Sequence, residues 1–315
     1  MSCPKPEHDR GGPNPIHRSR PVKPRAFLAL VRIPTVFSSM SNAYAGYFIG
    51  GGRDLSPHLM GGILAAALFI MAGMALNDVA DKDVDARERP NRPIPSGAIK
   101  LAAAWGISLF MMAAGVVILA AANPLSACVG LALCAAIYAY NFGLKGGPLG
   151  PAAMGLCRAL NLLTGMSLAW TTVPSTLPRS AWLALASLWA YIALVTFLAR
   201  DEVGGNTRKR AILYLAGLAV WFAGWAASAI VWYRAEHLLA LAWLALAMLL
   251  RGPLKNLAAD ATPKHTGQMV GMMLRCVPLV DVLAMLANGV RWEYAVAGAL
   301  WILPAYGVGK WFYST

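Results

Sequence analysis

The sequence predicts an all-α fold: a polytopic integral membrane bundle of nine or ten transmembrane helices around a central cavity. Three observations lead there. The 315 residues are 58% hydrophobic and 13% charged, with a mean hydropathy of +0.55, more apolar surface than a soluble domain of this length needs. The apolar stretches do not alternate like barrel strands, so in lipid their backbone groups are satisfied within helices. Lysine and arginine concentrate in alternate loops, as cytoplasmic loops of a multispanning protein do.

Taken in order, residues 1–26 are rich in Pro, Gly and basic side chains and read as a disordered basic cytoplasmic tail without the apolar core of a cleavable signal. Residues 27–315 form the membrane domain. Its apolar runs place spans at 27–49, 57–77, 100–121, 124–141, 151–170, 181–199, 211–233, 236–250, 268–288 and 293–311. The run 236–250 is shorter than the roughly 17 to 25 residues of an ordinary span, which leaves the count at nine or ten. With the N-terminus inside, most of the 27 basic residues fall on the inner side, whereas the outer loops hold only Arg53, Arg179, Arg234 and Arg291. The predicted location is the inner (cytoplasmic) membrane with the functional face toward the cytoplasm. The net charge of +13 is then explained by loops facing anionic membrane lipid, and no nucleic-acid partner is expected. Cys3, Cys128, Cys134, Cys157 and Cys276 have no metal-ligand or disulfide spacing.

The second span ends in NDVADKDVDARERPNRPIPSG, residues 77–97. On a continuous helix Asp78, Asp81 and Asp85 share one face, with Asn77 beside Asp81. Stacked like charges weaken a helix unless a cation bridges them, and hard oxygen ligands at this density suit Mg²⁺ with a substrate phosphate. Arg89 and Arg92 follow on a turn stiffened by Pro90 and Pro93. Acid, metal and arginine fork describe a pyrophosphate site. A second charged cluster, ARDEVGGNTRKRA at 199–211, closes the sixth span at the same face. It brings Asp201 and Glu202 toward the first motif, and a pyrophosphate bridged by two metals needs carboxylates from two directions.

In these motifs the chain resembles the UbiA superfamily of intramembrane prenyltransferases. The first acidic motif of that family, Asn-Asp-x-x-Asp-x-x-x-Asp followed by Arg-Pro-like residues and a glycine, is matched by Asn77, Asp78, Asp81, Asp85, Arg89, Arg92, Pro93 and Gly97. Its Tyr and Leu-Lys signature after the fourth helix is matched by Tyr140 and Leu144-Lys145. Its second motif, Asp-x-x-x-Asp, is matched only at Asp201, because Gly205 stands at the second aspartate; Glu202 or Asn206 is the available substitute. The run Arg200-Asp201-Glu202-Val203-Gly204-Gly205 resembles the EboC-like branch.

The resemblance implies a cytoplasm-facing cavity holding Mg²⁺ and an isoprenyl diphosphate, whose isoprenyl group is transferred to a lipophilic or aromatic acceptor as pyrophosphate leaves. Asp78, Asp81, Asp85 and Asp201 are the implied metal ligands, with Glu202 beside Asp201. Asn77, Arg89, Arg92, Lys145 and Tyr140 are the implied substrate contacts.

Polar residues inside spans are costly in lipid and are candidates for function. Asn42, Arg158, Asn161, Arg275, Asp281 and Asn288 qualify; Asn42 and Asn161 are candidates to line the cavity and contact substrate, with hydrogen bonding between helices the commoner role for either. Arg275 and Asp281 are too far round a helix to pair with each other, so each is expected to pair with another helix. Two other functional classes share part of this pattern. Membrane phosphotransferases need an Asp-Gly, Ala-Arg and Gly-x-x-x-Asp-x-x-x-Asp order that this chain lacks. A carrier that keeps the fold without catalysis remains compatible with the incomplete second motif.

Overall fold

The computed structural model describes residues 24–170, 174, 176–200, 208–232 and 236–313. Their regular structure is helical: α1 Pro24–Leu30, α2 Val36–Ile49, α3 Pro57–Ala80, α4 Lys82–Glu88, α5 Leu101–Ala122, α6 Pro124–Ala139, α7 Gly150–Leu168, α8 Arg179–Ala199, α9 Arg208–Trp232, α10 Glu236–Ala259, α11 Pro263–Arg275, α12 Val277–Ala287, α13 Trp292–Ala299 and α14 Ile302–Tyr313. A 3-10 turn at Ile33–Thr35 precedes α2, and a π-helical turn at Tyr140–Leu144 extends α6. Of the expected tail, residues 1–23 lie outside the described residues and 24–26 begin α1.

Three helices start by the same device. Ser56, Asn123 and Thr262 each precede a proline, and each side-chain oxygen accepts the backbone N–H of the residue three positions on, at 3.2, 2.8 and 3.3 Å. Proline at the first position supplies a helical φ where no N–H is needed, and the cap satisfies one free donor.

Successive helices pack side by side around a ring from α3 through α5, α6, α7, α8, α9 and α10 to α11 and α12, and α12 returns against α2. Helix α2 is buried nearly all round and packs on both α3 and α7. At its crossing with α7 the backbones touch: a Cβ on Gly46 would run into the Leu162 carbonyl, and one on Gly165 into the Ala43 carbonyl. Small residues permit such close approach in membrane bundles. Outward faces carry apolar side chains such as Phe110 and Val220, each 72% exposed, as lipid-facing helix surfaces do.

Among the described residues, five helices are long and apolar enough to cross a membrane, namely α3, α5, α6 with its π-helical turn, α8 and α10. The pair α11 and α12, bent by 41°, makes a sixth if it is one span. The protein is therefore an all-α integral membrane bundle, and among the described residues several helices differ in their bounds from the nine or ten expected spans. The expected first span is broken at Val31–Thr35, where Arg32 takes a left-handed φ of 47°. The expected short eighth span is instead part of a helix of 24 residues that continues through Pro253. The ninth bends at Cys276, and the tenth is two short helices, α13 and α14.

Candidate active site

Helix α3 does not run on through the acidic motif. Its backbone departs from helical geometry at Asp81, with φ −88° and ψ 4°, and α4 restarts at Lys82. The single helical face expected for Asp78, Asp81 and Asp85 is corrected accordingly: the break turns them toward different cations. Asp78 and Asp85, each 3% exposed, converge on Arg92, whose Nη1 donates to Asp78 Oδ1 at 3.2 Å and to Asp85 Oδ2 at 2.6 Å. Asp78 Oδ1 also accepts from Arg32 Nη2 at 2.9 Å. Asp81 is bound instead by Lys145 Nζ, and the Asn77 amide joins them, donating to Asp81 Oδ2 at 3.2 Å and accepting from Lys145 Nζ at 2.7 Å. Ion pairs this buried are stable only when each charge is matched and hydrogen-bonded. Arg92 is held by a turn that closes at Gly97, whose φ of 72° a side chain would resist. Arg89 is exposed and makes no side-chain bond among the described residues.

Lys145 reaches this cluster because of the π-helical turn. The Lys145 N–H donates to the Tyr140 carbonyl, five residues back, at 2.9 Å, and the extra residue turns Tyr140, Asn141 and Lys145 to one side. Such turns are frequent at functional sites. Phe142 stacks on Trp105 of α5 at 5.2 Å and anchors the turn. At the end of α8, Arg200 Nη2 donates to the Lys145 carbonyl at 2.9 Å and also reaches the Gly147 carbonyl. The chain therefore enters 201–207 at the same end of the bundle as the acidic motif, although Asp201 and Glu202 themselves lie outside the described residues.

Behind the cluster lies a cavity of about 850 Å³, bounded by Asn77, Tyr140 and Arg158 on one side and by α8, α10 and α11 on the other. Arg32, Arg158 and Arg275 line it, and among the described residues no carboxylate does. Most of its remaining wall is apolar. This arrangement accepts an anion at the polar end and a hydrocarbon along the walls.

Asn161 lines a smaller chamber that opens off this cavity, whereas Asn42 lines neither. Asn42 sits one layer back, donating to both oxygens of Asp281 at 2.8 and 3.0 Å and accepting from Arg158 Nη1 at 3.3 Å. Ser41 donates to Asp281 at 2.6 Å. Asp281 is thus partnered by another helix, as expected, and lines neither space. Arg275 sits over the Tyr306 ring at 5.3 Å, and Asn288 donates to Ser180 O at 3.2 Å.

Sequence reasoning missed Arg32, Arg200 and Asn141. Arg32 was hidden inside an apolar run, Arg200 by the charges beside it, and Asn141 by a register that only the π-helical turn sets. No group of three or more His, Cys, Asp or Glu side chains among the described residues is gathered to hold a metal. The oxygen donors of Asp78, Asp81, Asp85 and Asn77 nevertheless have the chemistry Mg²⁺ prefers, and each carboxylate is already neutralised by a cation at its oxygens.

The UbiA prenyltransferase family profile matches residues 39–262. The chain is similar to the digeranylgeranylglyceryl phosphate synthase of Metallosphaera sedula, 36% identical over 141 residues, 44% of this chain and 50% of that protein. The corresponding protein of Sulfurisphaera tokodaii is 30% identical over 143 residues, 45% of this chain and 51% of it. The chain thus spans about half the length of these curated relatives. In fold it is similar to a UbiA homolog from Archaeoglobus fulgidus bound to GPP and Mg²⁺, with TM-score 0.60 at 16% identity over 87% of this chain and 99% of that one. A UbiA homolog from Aeropyrum pernix gives TM-score 0.57 at 22% identity over 75% and 96%.

Proposed function

The chain belongs to the UbiA prenyltransferase family, and from that premise we propose that it is a Mg²⁺-dependent intramembrane prenyltransferase, moving an isoprenyl group from an isoprenyl diphosphate to a hydrophobic acceptor. The observation that carries this reading is the arginine-lined cavity of about 850 Å³ with a carboxylate cluster at its polar end. Arg32, Arg92 and Lys145 are the diphosphate contacts, with exposed Arg89 free to reach a phosphate from the surface. Asn77 and Tyr140 orient the bound group, since both line the cavity. Asp78, Asp81 and Asp85, with Asp201 from the neighbouring segment and Glu202 beside it, are the residues that would hold Mg²⁺. When bound, the ion supplies positive charge that favours departure of the diphosphate. The chain's own part is to fix cations around that developing charge and to surround the allylic carbon with apolar walls that exclude water.

The site is proposed to face the cytoplasm at the inner membrane, because basic loops gather at that end. Purified protein given a labelled prenyl diphosphate and an acceptor-containing lipid extract should release pyrophosphate, lose that activity on chelation and regain it with added Mg²⁺. Asp81→Ala should abolish release while the melting curve stays cooperative. Mg²⁺-independent binding without any pyrophosphate would instead identify a carrier, and full activity of Asp81→Ala would overturn the site.

A further inference from the structure

We infer that Arg200 is a positioning residue: by clasping the backbone of the loop between α6 and α7 it holds the Lys145 ammonium on the acidic cluster. The inference deepens the function proposed above and rests on it, because Lys145 is one of the diphosphate contacts of that reading.

The loop leaves the π-helical turn at Lys145 and reaches α7 at Gly150. The Lys145 N–H is taken by the Tyr140 carbonyl, but no backbone N–H among the described residues reaches the Lys145 carbonyl. Arg200 Nη2 donates to that carbonyl at 2.9 Å and, with its second hydrogen, to the Gly147 carbonyl. Hydrogen bonds from a charged donor are roughly twice as strong as neutral ones, so one guanidinium secures both ends of this short stretch. From the residue so held, the lysine side chain reaches Asn77 Oδ1 at 2.7 Å and pairs with Asp81. A lysine stem is flexible, and where its ammonium dwells depends on where its backbone is fixed. Arg200 caps α8, so the clasp ties α8 to the loop and, through Lys145, to the end of α3.

The loop leaves room for this guanidinium. A Cβ on Gly150 would lie 2.5 Å from Arg200 Nη2 and 2.7 Å from the Lys145 carbonyl oxygen. Gly150 belongs to α7 and has no left-handed φ, so space for the clasp, rather than backbone freedom, accounts for a glycine there.

Mg²⁺-dependent binding of geranyl diphosphate to the full-length protein in nanodiscs reads the function, and amide hydrogen exchange across residues 140–150 reads the loop. Arg200→Met should weaken geranyl diphosphate about tenfold, as loss of a charge-assisted bond predicts, and speed exchange in the loop. Gly150→Ala, which keeps the arginine but crowds it out, should do the same. Lys145→Met should weaken binding at least as much with loop exchange unchanged. Adding Arg200→Met to Lys145→Met should then cost no further affinity, since the side chain through which the arginine acts is gone. A further tenfold loss in the double variant would make Arg200 a direct contact and overturn the inference, as would unchanged binding or unchanged exchange in Arg200→Met. Should Arg200→Met not fold, Gly150→Ala carries the same cycle with Lys145→Met. Wild-type protein that binds no geranyl diphosphate would overturn the transfer reading and this role with it, whereas wild-type binding with additive losses removes the positioning role alone.

Discussion

Asp78 and Asp85 have little contact with water, and Arg92 donates to both, so this one guanidinium, 20% exposed, neutralises two buried carboxylates. Among the described residues, Arg92→Ala would leave Asp85 with no cation and Asp78 with Arg32 alone. Breaking a buried pair from one side costs about 3 to 5 kcal/mol, and partial exposure puts the expected loss near the lower end. Arg32 is 34% exposed and shares its partner with Arg92, so Arg32→Ala should cost no more than about 1 kcal/mol, like other partly solvated pairs. Thermal unfolding of the two variants in detergent checks the order, and equal melting points would refute it. The sequence made Arg92 legible through its spacing from the aspartates. Arg32 was not legible, because its role depends on a left-handed backbone that lets the chain double back onto α3.

At the scale of elements, the contact between α2 and α7 sets the depth at which Asn42 and Asn161 meet their partners. The atoms opposite Gly46 and Gly165 are backbone and cannot rotate away. Gly46→Val should therefore cost at least about 3 kcal/mol, the upper end of overpacking. Gly106, mid-helix in α5 with nothing within 4 Å of a new Cβ, is the contrast: Gly106→Ala should gain about 0.5 to 1 kcal/mol. Folded yield and melting temperature report both. Hydropathy exposed the long helices α3, α5 and α8 because each is apolar throughout. It misjudged α10, where Arg251, Pro253 and Lys255 imitate an end, and it fused α1 with α2, since an uninterrupted apolar run says nothing of a backbone that turns inside it. The π-helical turn was equally silent: an inserted residue changes register without changing composition.

For the whole molecule, the acidic end and the end of α8 are joined through Arg200 and Lys145, while Tyr294 Oη donates to the Arg53 carbonyl at 2.6 Å at the opposite pole. In a cysteine-free background, Glu88→Cys should react with an impermeant maleimide in inside-out vesicles and not in intact spheroplasts, and Arg53→Cys should do the reverse. Labelling of both from one side would exclude the membrane-spanning arrangement. The general site was readable because carboxylates and arginines stand out against an apolar chain; its floor was not, because Ser38, Ser39 and Asn141 gain meaning only where helices distant in sequence meet.

The wall of the large cavity carries guanidinium groups and, among the described residues, no acid. Such an enclosure grips whichever guest bears the most negative charge, and a free diphosphate, once shed, carries more of it than the same group esterified to a hydrocarbon. Departure of the spent anion, rather than arrival of fresh reactant, should then pace each cycle. Turnover is expected to rise with moderate salt, which screens the grip, and to show a burst in its first cycle; a linear onset with rates that only fall as salt is added would mean the exit is already unhindered.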